Sequence, residues 1–547
     1  MQWSESILWM CALAPAALMS TCALGALLPG PHVSAIARML PLLSGISAAG
    51  PLCVVLLLWP GFGSQEEAGT VALRVTPIAA WVALLVQILA TVIAGFSLRY
   101  LRGEPLTRMH IAALAAVIAA VQWLLLADHW LVLILAWALV GGALQPLLCF
   151  YPDRPFARLA AHKKQVADRL ADLLLIAAAA TAWIDVGSGS LTDLQAHLAG
   201  HAASPLLQAS AVFLALAVVM RTALFPVHGW LIQVMEAPTP VSALLHAGVV
   251  NLGGFLLIRL APLLEQAPLA RYLLIFFGLM TAVLAGFVML TRVSIKVRLA
   301  WSTVAQMGFM ILECGLGLYS FAALHLIGHS LYKAHAFLSA ADIVRQTRVR
   351  MMSRLSAPAG LSLILAPALG CAVLLGIQWL VVDTVWPLWW LLLLALAWAP
   401  LLWWPAGAQE PVPAVMGKAG PVANAFVQTA GSEWPRLLSA GLMMVALLGL
   451  AVHGMHALPL RLVDSPDDRA GWIALAAMSS AYLCLIALQI RPALLSVGWR
   501  WSYAGFYVDE RFTRFALWIW PVHWTVPAVE KRTDTVAGSV VSQPPPR

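Results

Sequence analysis

The sequence predicts an all-α fold, a polytopic transmembrane helix bundle of about 14–15 spans. Three observations carry that prediction. Of the 547 residues, 62% are hydrophobic and only 10% are charged, against roughly 25% charged in soluble domains. Apolar stretches of about 18 residues or more recur along the whole length, each long enough to cross the roughly 30 Å hydrocarbon layer as a helix. The loops between them alternate in basic charge. A closed β-barrel needs short segments of alternating polarity, which this chain lacks.

The spans are centred near residues 18, 49, 84, 117 and 140, then 178, 214, 250, 281 and 307, and finally 332, 370, 394, 446 and 480. The first follows Glu5 rather than a basic stretch, so it reads as a retained helix and not as a cleaved signal. Arg99, Arg102 and Arg108 share one loop, and Arg154, Arg158, Lys163, Lys164 and Arg169 lie in or beside another. Arg292, Lys296 and Arg298 mark a third, and Arg345, Arg348, Arg350 and Arg354 a fourth. The connections near 60–70, 127–129, 185–204 and 315–321 hold no Lys or Arg. By the positive-inside rule this alternation puts the N-terminus outside and the C-terminus in the cytoplasm of a multi-pass inner-membrane protein. It also accounts for the net charge of +8 without nucleic acid as a partner; membrane lipid is the partner instead.

Residues 405–435, rich in Gly, Pro and Ala, read as a cytoplasmic loop. Residues 499–525 mix aromatics with Asp509, Glu510, Arg511 and Arg514, which suits an interfacial or tilted terminal helix and a docking surface. The tail ending in Pro544-Pro545-Pro546 reads as disordered. The seven cysteines are scattered through apolar runs and form no CxxC pair, so they read as small core residues. With the fourteen histidines they show no ligand spacing, so no metal or other cofactor is expected in this chain.

Ionisable groups inside apolar spans cost roughly 2.5–3.5 kcal/mol each on insertion scales and therefore mark candidate sites. In AALHLIGHSLYKAHAFL, His325, His329 and Lys333 recur every four residues and share one helical face. A row of groups that both accept and donate protons suits proton hopping; the competing role is hydrogen bonding to neighbouring helices. In MRTALFPVHGW, Arg221 ends a span and Pro226 breaks the helix behind it. Arg221 either lines a cavity at a broken helix or snorkels to the cytoplasmic surface. Glu236 precedes two prolines and is either a partner for Arg221 or a loop carboxylate. His246 lies inside the next helix, whose first turn Thr239 or Ser242 is placed to cap. Lys296 opens the tenth span as a pathway residue or a topology determinant. Asp168, Arg169 and Asp172 form either a buried ion-pair group or a solvated helix end.

The stretches MEAPTPVSALLHAGVV, IKVRLAWSTVAQMGFM and HLIGHSLYKAHAFL resemble the antiporter-like subunits of complex I, of the NuoL type, and of Mrp cation antiporters. The resemblance covers roughly residues 70–345. It implies two inverted five-helix repeats with broken helices, each building a proton half-channel. The corresponding division is N-terminal helices at 1–108, repeats at 109–264 and 265–404, and a loop, final spans and interfacial segment at 405–547. It also implies a proton pathway through Arg221, Glu236, His246, Lys296, His325, His329 and Lys333. Within the superfamily, LLHAGVVNLGGFLLIRLAPLL and GHSLYKAHAFLSA are most similar to the DabB-type membrane subunits of inorganic-carbon transporters. That likeness implies a DabA-type cytoplasmic zinc partner resembling β-carbonic anhydrases, with proton flow through this chain coupled to hydration of carbon dioxide there. On that reading the chain itself is a transporter subunit and not an enzyme. The alternatives are a subunit of a cation/proton antiporter or complex I-like assembly, and a non-conducting membrane anchor.

Three departures from the family pattern stand out. Trp137-Ala138 replaces a tryptophan-glutamate pair, and Arg221, which does not release its proton, replaces a channel lysine. The twelfth span, roughly 357–382, holds Pro367 but no Lys, Glu or Asp where a second-half exit residue is expected. A downhill conduit, or a coupling element with Arg221 as a fixed charge, fits these departures better than a redox-driven pump.

Overall fold

The computed structural model describes residues 2–28, 30, 32–60, 69–104, 107–340, 358–381, 386–404, 434–456, 458–490 and 496–522. The loop expected at 405–435, except its last two residues, lies outside this set, as do Arg345, Arg348, Arg350, Arg354 and the C-terminal tail. The described chain is helical, and its extended segments pair only in isolated bridges such as Leu73 with Ala127 and His129 with Ser190.

The first six helices are α1 (Gln2–Leu27), α2 (His32–Ser47), α3 (Ala49–Leu57), α4 (Pro77–Tyr100), α5 (Thr107–Leu126) and α6 (Trp130–Leu148). Then come α7 (Pro155–Val186), α8 (Leu191–Gly200), α9 (Pro205–Arg221), α10 (Gly229–Gln233), α11 (Thr239–Ala247), α12 (Leu252–Arg259) and α13 (Ala261–Glu265). The second half holds α14 (Pro268–Leu290), α15 (Ile295–Gly315), α16 (Tyr319–Leu338), α17 (Gly360–Leu380) and α18 (Leu388–Trp398). The chain closes with α19 (Trp434–His456), α20 (Asp468–Ile490), α21 (Ser496–Tyr503) and α22 (Val508–Ile519). Every expected span centre falls in one of these helices except 250, which sits in the 3-10 turn joining α11 to α12.

Helix starts follow local chemistry. Thr76 and Ser204 cap α4 and α9 by accepting from the Ala79 and Leu207 N–H groups, and a proline fills the first helical position of each. Gly187, at φ 76°, closes α7 in the left-handed conformation.

Ten described spans, with α2–α3 and α11–α12 each counted as one, are long and apolar enough to cross a membrane, and the chain is a multi-pass membrane protein. Helices α7, α15 and α16 have 32, 21 and 20 residues, long enough to span; their polar content keeps them out of that set. Those three helices carry most of the candidate site. Lipid-facing rows are apolar, as at Leu131, Leu135 and Leu139 on α6, more than half exposed.

Helices α14 and α15 pack backbone to backbone. A Cβ at Gly308 would lie 2.6 Å from the Ala282 nitrogen and 2.7 Å from the Gly278 carbonyl. Small residues at such crossings let helices associate where lipid removes the hydrophobic drive. The contact fixes α15, and with it the polar residues that α15 presents to α16.

Candidate functional site

Two of the buried polar groups in the described bundle hold the candidate residues. The first joins α6, α7 and α9. Arg221 has a 4% exposed side chain; it pairs with Asp172 and lies 3.9 Å from Asp168. Its Nη1 donates to the Trp137 carbonyl at 2.7 Å, and its guanidinium sits 4.9 Å over the Trp137 ring. Lys164 pairs with Asp168 one turn along α7. Two cations thus face two carboxylates, so the cluster is neutral as a whole, the condition under which buried charges persist.

These contacts decide among the sequence alternatives. Arg221 is a buried, paired residue and does not snorkel. Asp168 and Asp172 form the buried ion-pair group, whereas Arg169, 62% exposed, reaches Asp172 only at 3.4 Å from the surface side. Glu236 does not pair with Arg221; it meets Arg154 at 3.4 Å, with both side chains well exposed. Glu236 closes the 3-10 turn Val234–Glu236 ahead of Pro238 and Pro240, and from there it meets the loop before α7 through Arg154. Lys163 and Lys164, read as loop charges, lie inside α7 and are buried. Near Ala138, where a carboxylate was expected, Asp168 of α7 projects against the Gly141 α-carbon three residues further along α6.

The second group lies between α15, α16 and α11. His329 and Lys333 are buried, at 6% and 1% exposure, while Leu331 on the opposite face is 48% exposed. The His325–His329–Lys333 row therefore faces the bundle interior. Lys333 donates to the Leu299 carbonyl at 3.2 Å and to the Ser302 hydroxyl. The rings of His325 and His329 are 6.1 Å apart. His325 meets Glu313 at 2.8 Å through Nδ1 and the Gln306 Oε1 at 2.7 Å through Nε2. His329 and His246 are both buried with both ring nitrogens unpartnered. His246 stacks on Phe337 of α16, ring centroids 4.5 Å apart.

Helix α11 brings His246 to this group through a break that the sequence did not mark. Gly248 leaves helical geometry at φ −121°, ψ −73°, and Asn251 in the following turn donates to Ser330 of α16 at 2.7 Å. The expected cap is not formed: α11 has no side-chain cap, and the Thr239 hydroxyl instead accepts from Lys296 at 2.9 Å. Lys296 thus joins the start of α15 to the start of α11.

Sequence reasoning missed Glu313, Gln306, Ser302 and Asp509. Glu313 had a legible signal, a single carboxylate in the apolar run MGFMILECGLG. Asp509 on α22 reaches across to Lys163 at 2.6 Å, a contact 346 residues apart in the chain that no local pattern marks. Among the described residues no group of three or more His, Cys, Asp or Glu is placed to hold a metal ion.

Comparison with known proteins agrees with this architecture. The family model described as NADH:quinone oxidoreductase/Mrp antiporter, transmembrane, matches residues 127–383, and with the buried titratable row this defines a membrane subunit of the proton-antiporter class. The probable inorganic carbon transporter subunit DabB of Hydrogenovibrio crunogenus is 36% identical over 450 residues, 81% of this chain and 82% of its own length. The probable subunit DabB2 of Halothiobacillus neapolitanus is 42% identical over 316 residues, 56% of this chain and 57% of its own. The NADH-ubiquinone oxidoreductase chain 5 of Metridium senile is 32% identical over 288 residues, covering 52% of this chain and 48% of that one. A chain of the Mrp complex from a Dietzia species shares the fold, with a TM-score of 0.58, at 22% identity, over 93% of this chain and 60% of that one. The chain belongs to the DabB family within this superfamily.

Proposed function

We propose that the chain is the proton-conducting membrane subunit of an energy-coupled inorganic-carbon uptake complex. The observation that carries the reading is the row Glu313, His325, His329 and Lys333, turned inward along α15 and α16 in an otherwise apolar bundle. Such groups cost several kcal/mol in a membrane, and a purely structural helix has no use for three of them in register with a fourth, Glu313, facing them from the next helix. The DabB relatives, named as inorganic carbon transporter subunits, supply the cargo class.

On this reading the partner is a DabA-type cytoplasmic zinc protein resembling β-carbonic anhydrases, which hydrates carbon dioxide to bicarbonate. The zinc and the covalent chemistry belong to that partner. This chain provides the downhill proton path that makes the hydration vectorial. The N-terminus lies outside the inner membrane and the C-terminus in the cytoplasm. Arg221, locked between Asp172 and the Trp137 carbonyl, serves as a fixed charge and not as a carrier, because a guanidinium stays protonated. Lys333, lacking a carboxylate among its hydrogen-bond partners, is the group suited to exchange a proton.

The test uses cells deficient in carbonic anhydrase. Co-expression of this chain with a co-purifying zinc-containing soluble partner is expected to restore growth in air, and an uncoupler is expected to abolish the rescue. Rescue that persists under the uncoupler would overturn the proton-driven reading.

A further inference from the structure

The second half of the proton path lacks a charged residue on α17, the helix where one was expected. The structure offers a different terminus. Glu313 sits near the end of α15, 3% exposed, with its Oε2 on the His325 Nδ1 at 2.8 Å. Beyond it, the loop before α16 and the loop before α20 are stitched together: the Ser465 N–H donates to the Gly317 carbonyl at 2.9 Å and the Asp467 N–H to the Leu316 carbonyl at 3.0 Å. That seam brings Asp464 to the N-terminus of α16, where its Oδ1 accepts from the Ser320 N–H at 2.8 Å. The Ser320 hydroxyl donates to the other Asp464 oxygen and faces the His456 Nε2 at 3.1 Å. Asp464 is partly exposed, and the loop it is joined to is tied to the Glu313 backbone, whose carbonyl accepts from the Leu318 N–H at 2.9 Å.

We infer that Glu313 is the outer port of the proton path, receiving protons from the Asp464, Ser320 and His456 cluster and passing them to His325. The inference rests on the proton-conduction reading above and on the outward placement of these loops.

The step balances. A proton taken up by the Glu313 carboxylate gives a neutral acid beside neutral His325. Transfer from Oε2 to Nδ1 gives carboxylate and imidazolium. The pair has no net charge in either state, so moving the proton across 2.8 Å creates no uncompensated charge in the low-dielectric interior. His325 then releases its proton toward His329, whose two nitrogens, buried and unpartnered, are free to take it. Unlike Arg221, the Glu313, His325 and His329 side chains each exist in two protonation states, and the Ser320 hydroxyl relays by donating and accepting.

Proton flux into liposomes holding the purified complex, driven by an imposed potassium–valinomycin potential and read by entrapped pyranine, tests the assignment. Glu313→Gln keeps the shape and the hydrogen bond to His325 but cannot carry a proton. It is expected to lower flux about a hundredfold, the scale of a lost acid–base group, with complex yield and thermal unfolding unchanged. Glu313→Asp is expected to recover part of the flux. Lys333→Ala run alongside separates the two ideas. Near-normal flux in Glu313→Gln with Lys333→Ala inactive overturns the port alone; no flux in the unmodified complex overturns the proton-conduction reading beneath it.

Discussion

At the scale of the residue, the two buried clusters differ in what holds them. Arg221 and Lys164 each have a carboxylate in contact, whereas Lys333 rests on a carbonyl and a hydroxyl. Removing one partner of a buried ion pair costs about 3–5 kcal/mol, because the other charge is left uncompensated. Arg221→Ala is therefore expected to lower the unfolding temperature of the detergent-purified complex and its yield, while Arg221→Lys, which keeps the charge, loses less. Equal stability of all three proteins would mean that the Arg221 ion pair does not hold α9 against α7. Lys333→Ala and His329→Ala leave no carboxylate stranded. Both are expected to fold and assemble normally and to lose carbon uptake, measured with radiolabelled bicarbonate. Full uptake in both would favour a non-conducting anchor.

At the scale of the element, helix placement depends on close backbone approach and on one long-range latch. Gly308 lies against the backbone of α14, so Gly308→Leu forces α14 and α15 apart. Overpacking of this kind costs typically about 1–3 kcal/mol, and loss of the monodisperse complex on size-exclusion chromatography is the expected outcome. Helix α22 is the latch. Its Asp509 pairs with the fully buried Lys163, and Thr513 accepts from the same ammonium at 3.2 Å. The Gly229 α-carbon leaves the space the Asp509 carboxyl occupies, so any side chain at that position collides with it. Asp509→Asn weakens the pairing, and faster trypsin cleavage at Arg511 and Arg514 is expected as α22 detaches; an unaltered cleavage rate would show that apolar contacts alone hold it. Of the terminal segment 499–525, expected to be interfacial, residues 499–522 are described and hold the end of α21 and all of α22, with Trp499, Trp501 and Trp518 strongly exposed, aromatics of the kind that settle at membrane–water boundaries.

At the scale of the whole molecule, the ends of the bundle are chemically distinct. One end gathers the α7 entry, the α10 turn and α22; the other gathers the loops before α16 and α20. On the proposed topology the first faces the cytoplasm. Single cysteines introduced as Trp518→Cys and Val463→Cys, at side chains 77% and 79% exposed in the native protein, test this in intact cells. A membrane-impermeant thiol reagent is expected to label the second and not the first, against the native cysteine background. The reverse pattern would invert the topology and turn the proposed outer port into an inner one.

The helical membrane class was legible from composition and span length alone, because a lipid solvent leaves a backbone few other ways to satisfy its hydrogen bonds. The inward row at 325, 329 and 333 was legible too, since a four-residue spacing sets one helix face whatever surrounds it. What the face meets was not legible. Glu313 finds His325 across a helix hairpin, Asp172 finds Arg221 across 49 positions, and Asp509 finds Lys163 from the far end of the chain. The same sequence left Glu236 free to choose Arg154 over Arg221. Pairings of this kind depend on which helices become neighbours, and only the packed bundle determines that.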